Sequence, residues 1–308
     1  MKKHKTCIIW MMTCCIVVSS CNPNPKTETH EPPIATSSLW IVAPTGTLTP
    51  TLTLTPSPTL TATISPSPLP TLLPNDAKNL IISLLKPSND CSLPCWWNVV
   101  PGFTKWSEAE RFLSTFSTKI TKYVSSADPD EIYYSAYFKV STSIEKHGSL
   151  IHTFKVKNNN VYSITADTGD NNSAYSLRNM LTNFGFPQEI YLRTFSDKRE
   201  DLPFYMILFY PAQGFSVLYF DDADIVKEDI RGCFSRNLSN ASLWLQAPDM
   251  GVPFSKFIEN GDIFPPEELV YYQPLSEVSD VTVESFLSSI KSRSESCITT
   301  SRNLWPSP

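Results

Sequence analysis

Glycine is scarce, with 9 residues in a chain of 308 that holds 26 prolines. Loops that cradle phosphates need glycine where the backbone must approach the ligand, and neither G-x-G-x-x-G nor G-x-x-x-x-G-K-[ST] occurs. Nucleotide-binding folds built on such loops are therefore excluded. Basic residues are in deficit too, 25 Lys and Arg against 30 Asp and Glu, without a basic run. A surface of that kind releases no counterions from a phosphate backbone, so nucleic acid is not expected as a partner. Histidine is limited to 4 residues and G-x-S-x-G is absent, which leaves little material for a Ser-His-acid triad. Beyond the extreme N-terminus there is no run of about 20 apolar residues that could span a bilayer as a helix.

What is present begins with an address. Lys2, Lys3 and Lys5 precede an apolar run from Cys7 to Val18, which closes on Val18-Ser19-Ser20-Cys21. A basic start, a short apolar stretch and small residues before a cleavage point read as an export signal over residues 1–20. The V-S-S-C stretch resembles the lipobox of bacterial lipoproteins. That resemblance implies cleavage before Cys21, a diacylglycerol on its sulfur and acylation of the new amino terminus. An ordinary signal peptide or uncleaved anchor with an incidental cysteine is the alternative. The resemblance makes the membrane a partner through a lipid anchor, and places the protein on the outer side of the cytoplasmic membrane or at the cell surface. Each buried methylene contributes about 0.8 kcal/mol, so several acyl chains on one residue hold effectively permanently. Loss of three lysines and no acid takes the net charge from −5 to −8, so charge alone is not expected to hold the exported form on anionic headgroups.

Residues 21–74 are rich in threonine, proline and serine, densest from Pro44 to Pro70. Proline denies helix and sheet their donors, and leucines such as Leu48, Leu52 and Leu54 have no periodic partners, so this segment is expected to be a disordered stalk. At about 3.1 Å per residue, roughly 30 residues of polyproline-like chain extend about 90 Å, enough to lift a domain clear of a membrane.

The body is expected over residues 75–308, as halves about 75–168 and 169–245 and an extension over 246–308. In the first half Thr104 is placed to cap a helix from Lys105 to Phe116, whose Ala109, Phe112, Leu113 and Phe116 share one face. Strand-like runs follow at Glu131 to Val140, Ser149 to Lys157 and Val161 to Asp167, with Asn158-Asn159-Asn160 as a tight hairpin turn. In the second half Ser173 is placed to cap a helix carrying Leu177, Met180, Leu181 and Phe184, which Gly185 and Pro187 stop. Further runs occur at Glu189 to Phe195, Phe204 to Tyr210 and Phe215 to Asp221. The fold class that follows is α+β: two helix-on-antiparallel-sheet halves and a C-terminal helical extension around Val283, Phe286, Leu287 and Ile290. The order P-G-x-T, helix, F-G-x-P and hairpin resembles the repeat of small envelope lipoproteins of the SmpA kind and of β-lactamase-inhibitor-like proteins, which implies the fold and no activity. Cys91-Ser-Leu-Pro-Cys95-Trp-Trp with Pro101-Gly102-x-Thr104 is similar to stalked lipoproteins of filamentous bacteria.

Four cysteines remain after export and acylation: Cys91, Cys95, Cys233 and Cys297. An even number outside the cytoplasm suggests disulfides, and of three pairings Cys91 with Cys95 and Cys233 with Cys297 is preferred. Cys91 and Cys95 as a redox pair, or as a copper site with His147 or His152, are competing readings. A catalytic role for either histidine competes with plain strand placement. Asp221, Asp222 and Asp224 end a predicted strand, where a solvated acidic turn is favoured over calcium because the EF-hand glycine and distal glutamate are missing. Adjacent tryptophans cannot easily share one strand face, so exposure of one of Trp96 and Trp97 as a ligand contact competes with packing on the disulfide, and with Trp106 they are the ligand-contact candidates. Tyr133, Tyr134, Tyr137, Tyr271 and Tyr272 add rings able to stack on sugars or anchor a protein. The expectation is a non-enzymatic binding domain for an envelope protein or glycan, with no cofactor and no metal. An extracytoplasmic hydrolase and a structural or assembly factor of the envelope are the alternatives.

Overall fold

The structure is a computed structural model that describes residues 69–307 except 89, 127, 142, 144–147, 171, 197–201, 236, 249–252, 262–270 and 294. Cys21, the export signal and the part of the expected 21–74 stalk up to residue 68 lie outside the described residues. The body reaches back to Leu72, whose amide donates to the Thr115 carbonyl at 2.8 Å. Proline at the first helical position, where no amide is needed, then starts α1 (Pro74–Leu84), and Ile81 on its inner face is buried.

The protein has an α+β architecture, an antiparallel sheet flanked by helices with a C-terminal helical region. Eleven strands are described: β1 (Lys119–Val124), β2 (Glu131–Lys139), β3 (Ser149–Lys157), β4 (Asn160–Asp167), β5 (Glu189–Arg193), β6 (Leu202–Tyr210), β7 (Phe215–Val226), β8 (Asp229–Ser235), β9 (Ala241–Gln246), β10 (Gln273–Pro274) and β11 (Glu295–Ser301). All of them belong to one sheet, in the order β1-β2-β3-β4-β9-β7-β6-β5-β10, with β8 on β7 and β11 on β8. The two halves share a ladder because β9 pairs with β4 on one side and with β7 on the other.

One face of this sheet is covered along its length. Helix α2 (Trp106–Leu113) turns Trp106, Ala109 and Leu113 inward. Its boundary differs from the expected one: the Thr104 hydroxyl accepts from the Val100 amide at 2.8 Å instead of capping the helix, which begins without a side-chain cap. Helix α3 (Leu177–Asn183) is capped by Ser176, not Ser173, because Ser173–Tyr175 form a separate 3-10 turn capped by Asn172. Gly185 then takes φ +75°, a conformation that suits glycine and ends the helix. The C-terminal helix (Val283–Ser292), capped by Thr282, buries Phe286, Leu287 and Ile290 beside α3.

The other face is covered only over the second half. There α4 (Phe254–Gly261) lays Phe254 and Phe257 on Ile207, Phe209, Leu218 and Trp244. Strands β6 and the first half of β7 are therefore buried on both sides and read as continuous apolar runs, whereas β2 and β3 alternate. Nothing comparable among the described residues covers the outer face of β1, β2 and β3.

Asp221, Asp222 and Asp224 do not form a solvated turn. Strand β7 continues through them to Val226 because β8 takes over the pairing that β9 gives up: β9 pairs Phe215–Tyr219 and β8 pairs Ala223–Val226. Asp222 and Asp224 alternate outward, and Asp221 faces inward, where burial and then Asp222 and Glu295 raise its pKa.

Candidate functional site

The structure places the expected ligand-contact tryptophans in the core. Trp96 is 1% exposed, Trp97 2% and Trp106 4%. The period-two argument for one exposed ring fails because Trp96 and Trp97 are not in a strand. They straddle a two-residue turn in which Trp97 and Asn98 have φ of 53° and 63°, closed by a reciprocal pair of 2.9 Å bonds between Trp96 and Val99. The turn brings both indoles to the same side, stacked at 5.7 Å. Beside it the Cys91–Cys95 disulfide is formed, and the Asn98 amide donates to Cys91 Sγ at 3.4 Å. With both sulfurs in the bond, neither is a thiolate available to copper.

The two indoles close over His152, with ring centroids 5.5 Å and 4.4 Å away. The imidazole is fully buried, with neither nitrogen hydrogen-bonded among the described residues, and burial lowers its pKa to about 3. It is a ring enclosed in the core by Trp96, Trp97 and Phe138. His147 lies outside the described residues. Trp106 lies against Tyr134, 3.9 Å away and nearly parallel, which takes Tyr134 out of the set of surface rings. Tyr272 is buried beside α4 as well.

The second disulfide joins Cys233 to Cys297, which stand directly opposite in β8 and β11. Arg231 Nη2 donates to Cys297 Sγ at 3.4 Å. Glu295 lies within 4.8 Å of both sulfurs, but a disulfide offers no thiolate, so the trio presents one carboxylate and not a metal triad. Nearby, a cleft of about 520 Å³ is lined by Asp229, Glu277 and Asp280 with the hydroxyls of Ser279, Thr299 and Ser301. All three acids are exposed.

A different arrangement stands out on the uncovered face of β1, β2 and β3. Register sets it: Lys119 is opposite Tyr137, Thr121 opposite Ser135 and Tyr123 opposite Tyr133. Alternation then puts Tyr133, Ser135, Tyr137 and Lys139 of β2 on this face, together with Thr153, Lys155 and Lys157 of β3. Tyr123 is 62% exposed, and Tyr133 and Tyr137 are half-buried. The Tyr133 ring is held in place. The Tyr133 hydroxyl donates to Glu131 Oε2 at 2.7 Å, and the Tyr162 hydroxyl donates to the other carboxylate oxygen. Tyr162 reaches Glu131 because of a bulge: Lys155 pairs with Ser163 and Val156 with Val161, which leaves Tyr162 as the extra residue. The Lys155 ammonium sits 5.0 Å from the Tyr133 ring and the Lys119 ammonium 6.0 Å from the Tyr137 ring, while Ser135 and Thr153 share a 3.1 Å hydroxyl contact between them.

The result is a fixed row: an aromatic pair, Tyr123 and Tyr133, then a hydroxyl group of Thr121, Ser135 and Thr153, then Tyr137 with Lys119. Such a surface can stack on flat apolar faces and hydrogen-bond between them. Tyr133 and Tyr137 were visible in the sequence as candidate rings. Tyr123 and Tyr162 were not, because only strand pairing and the bulge bring them in. Compared with family models, with curated proteins and with solved structures, the chain matches none of them.

Proposed function

We propose that this chain is an extracytoplasmic lipoprotein, tethered through acylated Cys21, whose body is a non-enzymatic binding domain that takes an envelope glycan on the tyrosine face of β1, β2 and β3. The reading is carried by one observation: Tyr123, Tyr133 and Tyr137, with the hydroxyls between them, lie on a sheet face that no described element covers, while the opposite face is packed with apolar side chains. The Tyr133 ring, fixed by its hydrogen bond to Glu131, loses little freedom when a ligand lands on it, which favours recognition over packing as its use. Half-buried tyrosines interleaved with serine and threonine match sugars, which alternate apolar C–H faces with hydroxyl edges. A protein partner of the usual kind would instead call for a contiguous apolar centre. The lipid anchor supplies position, and the Thr/Pro/Ser-rich segment supplies reach.

The test is retention of an envelope polysaccharide fraction by the immobilised oxidised protein and by a Tyr133→Ala/Tyr137→Ala variant whose folding is verified by near-UV circular dichroism. Retention by the parent and its loss in the variant is expected. Equal retention by both, or none by the parent, overturns the assignment.

A further inference from the structure

The open face differs in charge from the rest of the molecule. The exported form carries −8, yet the outward positions of β1, β2 and β3 place Lys119, Lys139, Lys155 and Lys157 against Glu131. Asp128 at the rim adds a second acid, and it is engaged by Lys157 at 2.7 Å with both side chains well exposed. Among the described residues, the exposed Lys119, Lys139 and Lys157 thus outnumber Glu131 and Asp128 on this face of an acidic protein. Lys155 is 3% exposed and supports Tyr133 from within, so the cations offered at the surface are Lys119 and Lys139, both beside Tyr137.

The groups are also spread out. Tyr133 and Tyr137 are four residues apart on one strand, which at about 3.4 Å per residue separates them by roughly 13 Å. No single sugar ring touches both. A ligand that uses Tyr123 with Tyr133 at one end and Tyr137 with Lys119 at the other is a chain, lying along β2 with its hydroxyls over Thr121, Ser135 and Thr153.

We infer that the ligand of this face is a linear, negatively charged polysaccharide, with carboxylate or phosphate groups meeting Lys119 and Lys139. This rests on the binding role proposed above and adds the charge and length of what is bound. Neutral glycans would leave the lysines without counter-charges, and a compact monosaccharide would use only one end of the row.

Titration calorimetry on the full oxidised chain tests it, with three probes: an oligogalacturonate of about eight sugars, a neutral cello-oligosaccharide of similar length, and poly-glutamate. The oligogalacturonate is expected to bind, more weakly at 300 mM than at 50 mM sodium chloride because exposed charges are screened. Lys119→Gln/Lys139→Gln should weaken it about two- to thirty-fold, the range for two exposed ion pairs. Tyr137→Phe keeps the ring and should retain affinity, whereas Tyr137→Ala should lose it, so a ring contact is separated from a general loss of fold. Equal binding of neutral and acidic oligosaccharides, unaffected by the lysine changes, would overturn the charge assignment while leaving glycan binding intact. Poly-glutamate bound as tightly as oligogalacturonate would overturn the sugar assignment. Failure of the parent to bind either oligosaccharide would sink the glycan reading altogether.

Discussion

Replacing His152 with phenylalanine isolates the proton that the core excludes. In the folded chain the imidazole is enclosed by Trp96, Trp97 and Phe138, and burial lowers its pKa from 6.5 to about 3. In the unfolded chain it protonates near 6.5. Between these values the unfolded state holds more protons than the folded one. The stability this site contributes is therefore complete above about pH 6.5 and is lost as pH falls toward 3, at about 1.4 kcal/mol per pH unit. By pH 5 the loss is about 2 kcal/mol. Phenylalanine keeps a planar ring in the aromatic box and has no proton to exchange. In urea titrations of the oxidised protein, His152→Phe should lie within about 1.5 kcal/mol of the parent at pH 7.5, as volume-conserving core swaps do. At pH 5 it should gain about 2 kcal/mol relative to that difference, a rise in melting temperature of about 4–8 °C for a body of this size. Carboxylates titrate equally in both proteins, so only the difference between the two curves is read. Parallel stability curves from pH 7.5 to pH 5 would refute the argument that a neutral imidazole is locked in the core.

Other positions give independent checks. A Cβ at Gly232 would stand 2.4 Å from the buried Phe204 ring, so Gly232→Ala should lower stability by about 1–3 kcal/mol in denaturant; an unchanged midpoint would show that the ring has room to shift. The Cys233–Cys297 bond closes a loop of sequence separation 64, and the double change to serine should lower stability by about 4 kcal/mol on the chain-entropy account, measured by thermal melting against the parent. Cys21→Ala should release the protein from membranes to the soluble fraction, and continued membrane retention would count against the lipid anchor.

Strands whose pattern is local were legible before the structure. The alternating runs of β2 and β3 and the apolar runs of β6 and β7 announce themselves, and Asn158 and Asn159 take the positive φ values, 51° and 62°, that a two-residue hairpin turn demands. Strands β9 and β11 were not legible, because their pairing is decided by partners far away in sequence. Helix α1 was hidden by the proline-rich composition that runs into it. The Trp96-Trp97 prediction failed for a reason of rule and not of chemistry: the two-residue period belongs to strands, and a left-handed turn reverses it. The tyrosine face was half legible. Its residue types were evident, but their common row depends on the one-to-one register of β1 with β2, which composition does not encode.

Strand β9 has a consequence for how this molecule is made. It fills the place between β4 and β7, yet it is supplied from Ala241–Gln246, after both neighbours and the intervening β8 have been translated. A nascent or clipped polypeptide that stops short of it holds two interior borders, rich in buried valine, isoleucine and aromatic side chains, with no strand to seal them. Such borders invite edge-to-edge clumping. Proteolytic nicking ahead of Ala241 should therefore yield aggregates, not two smaller soluble halves.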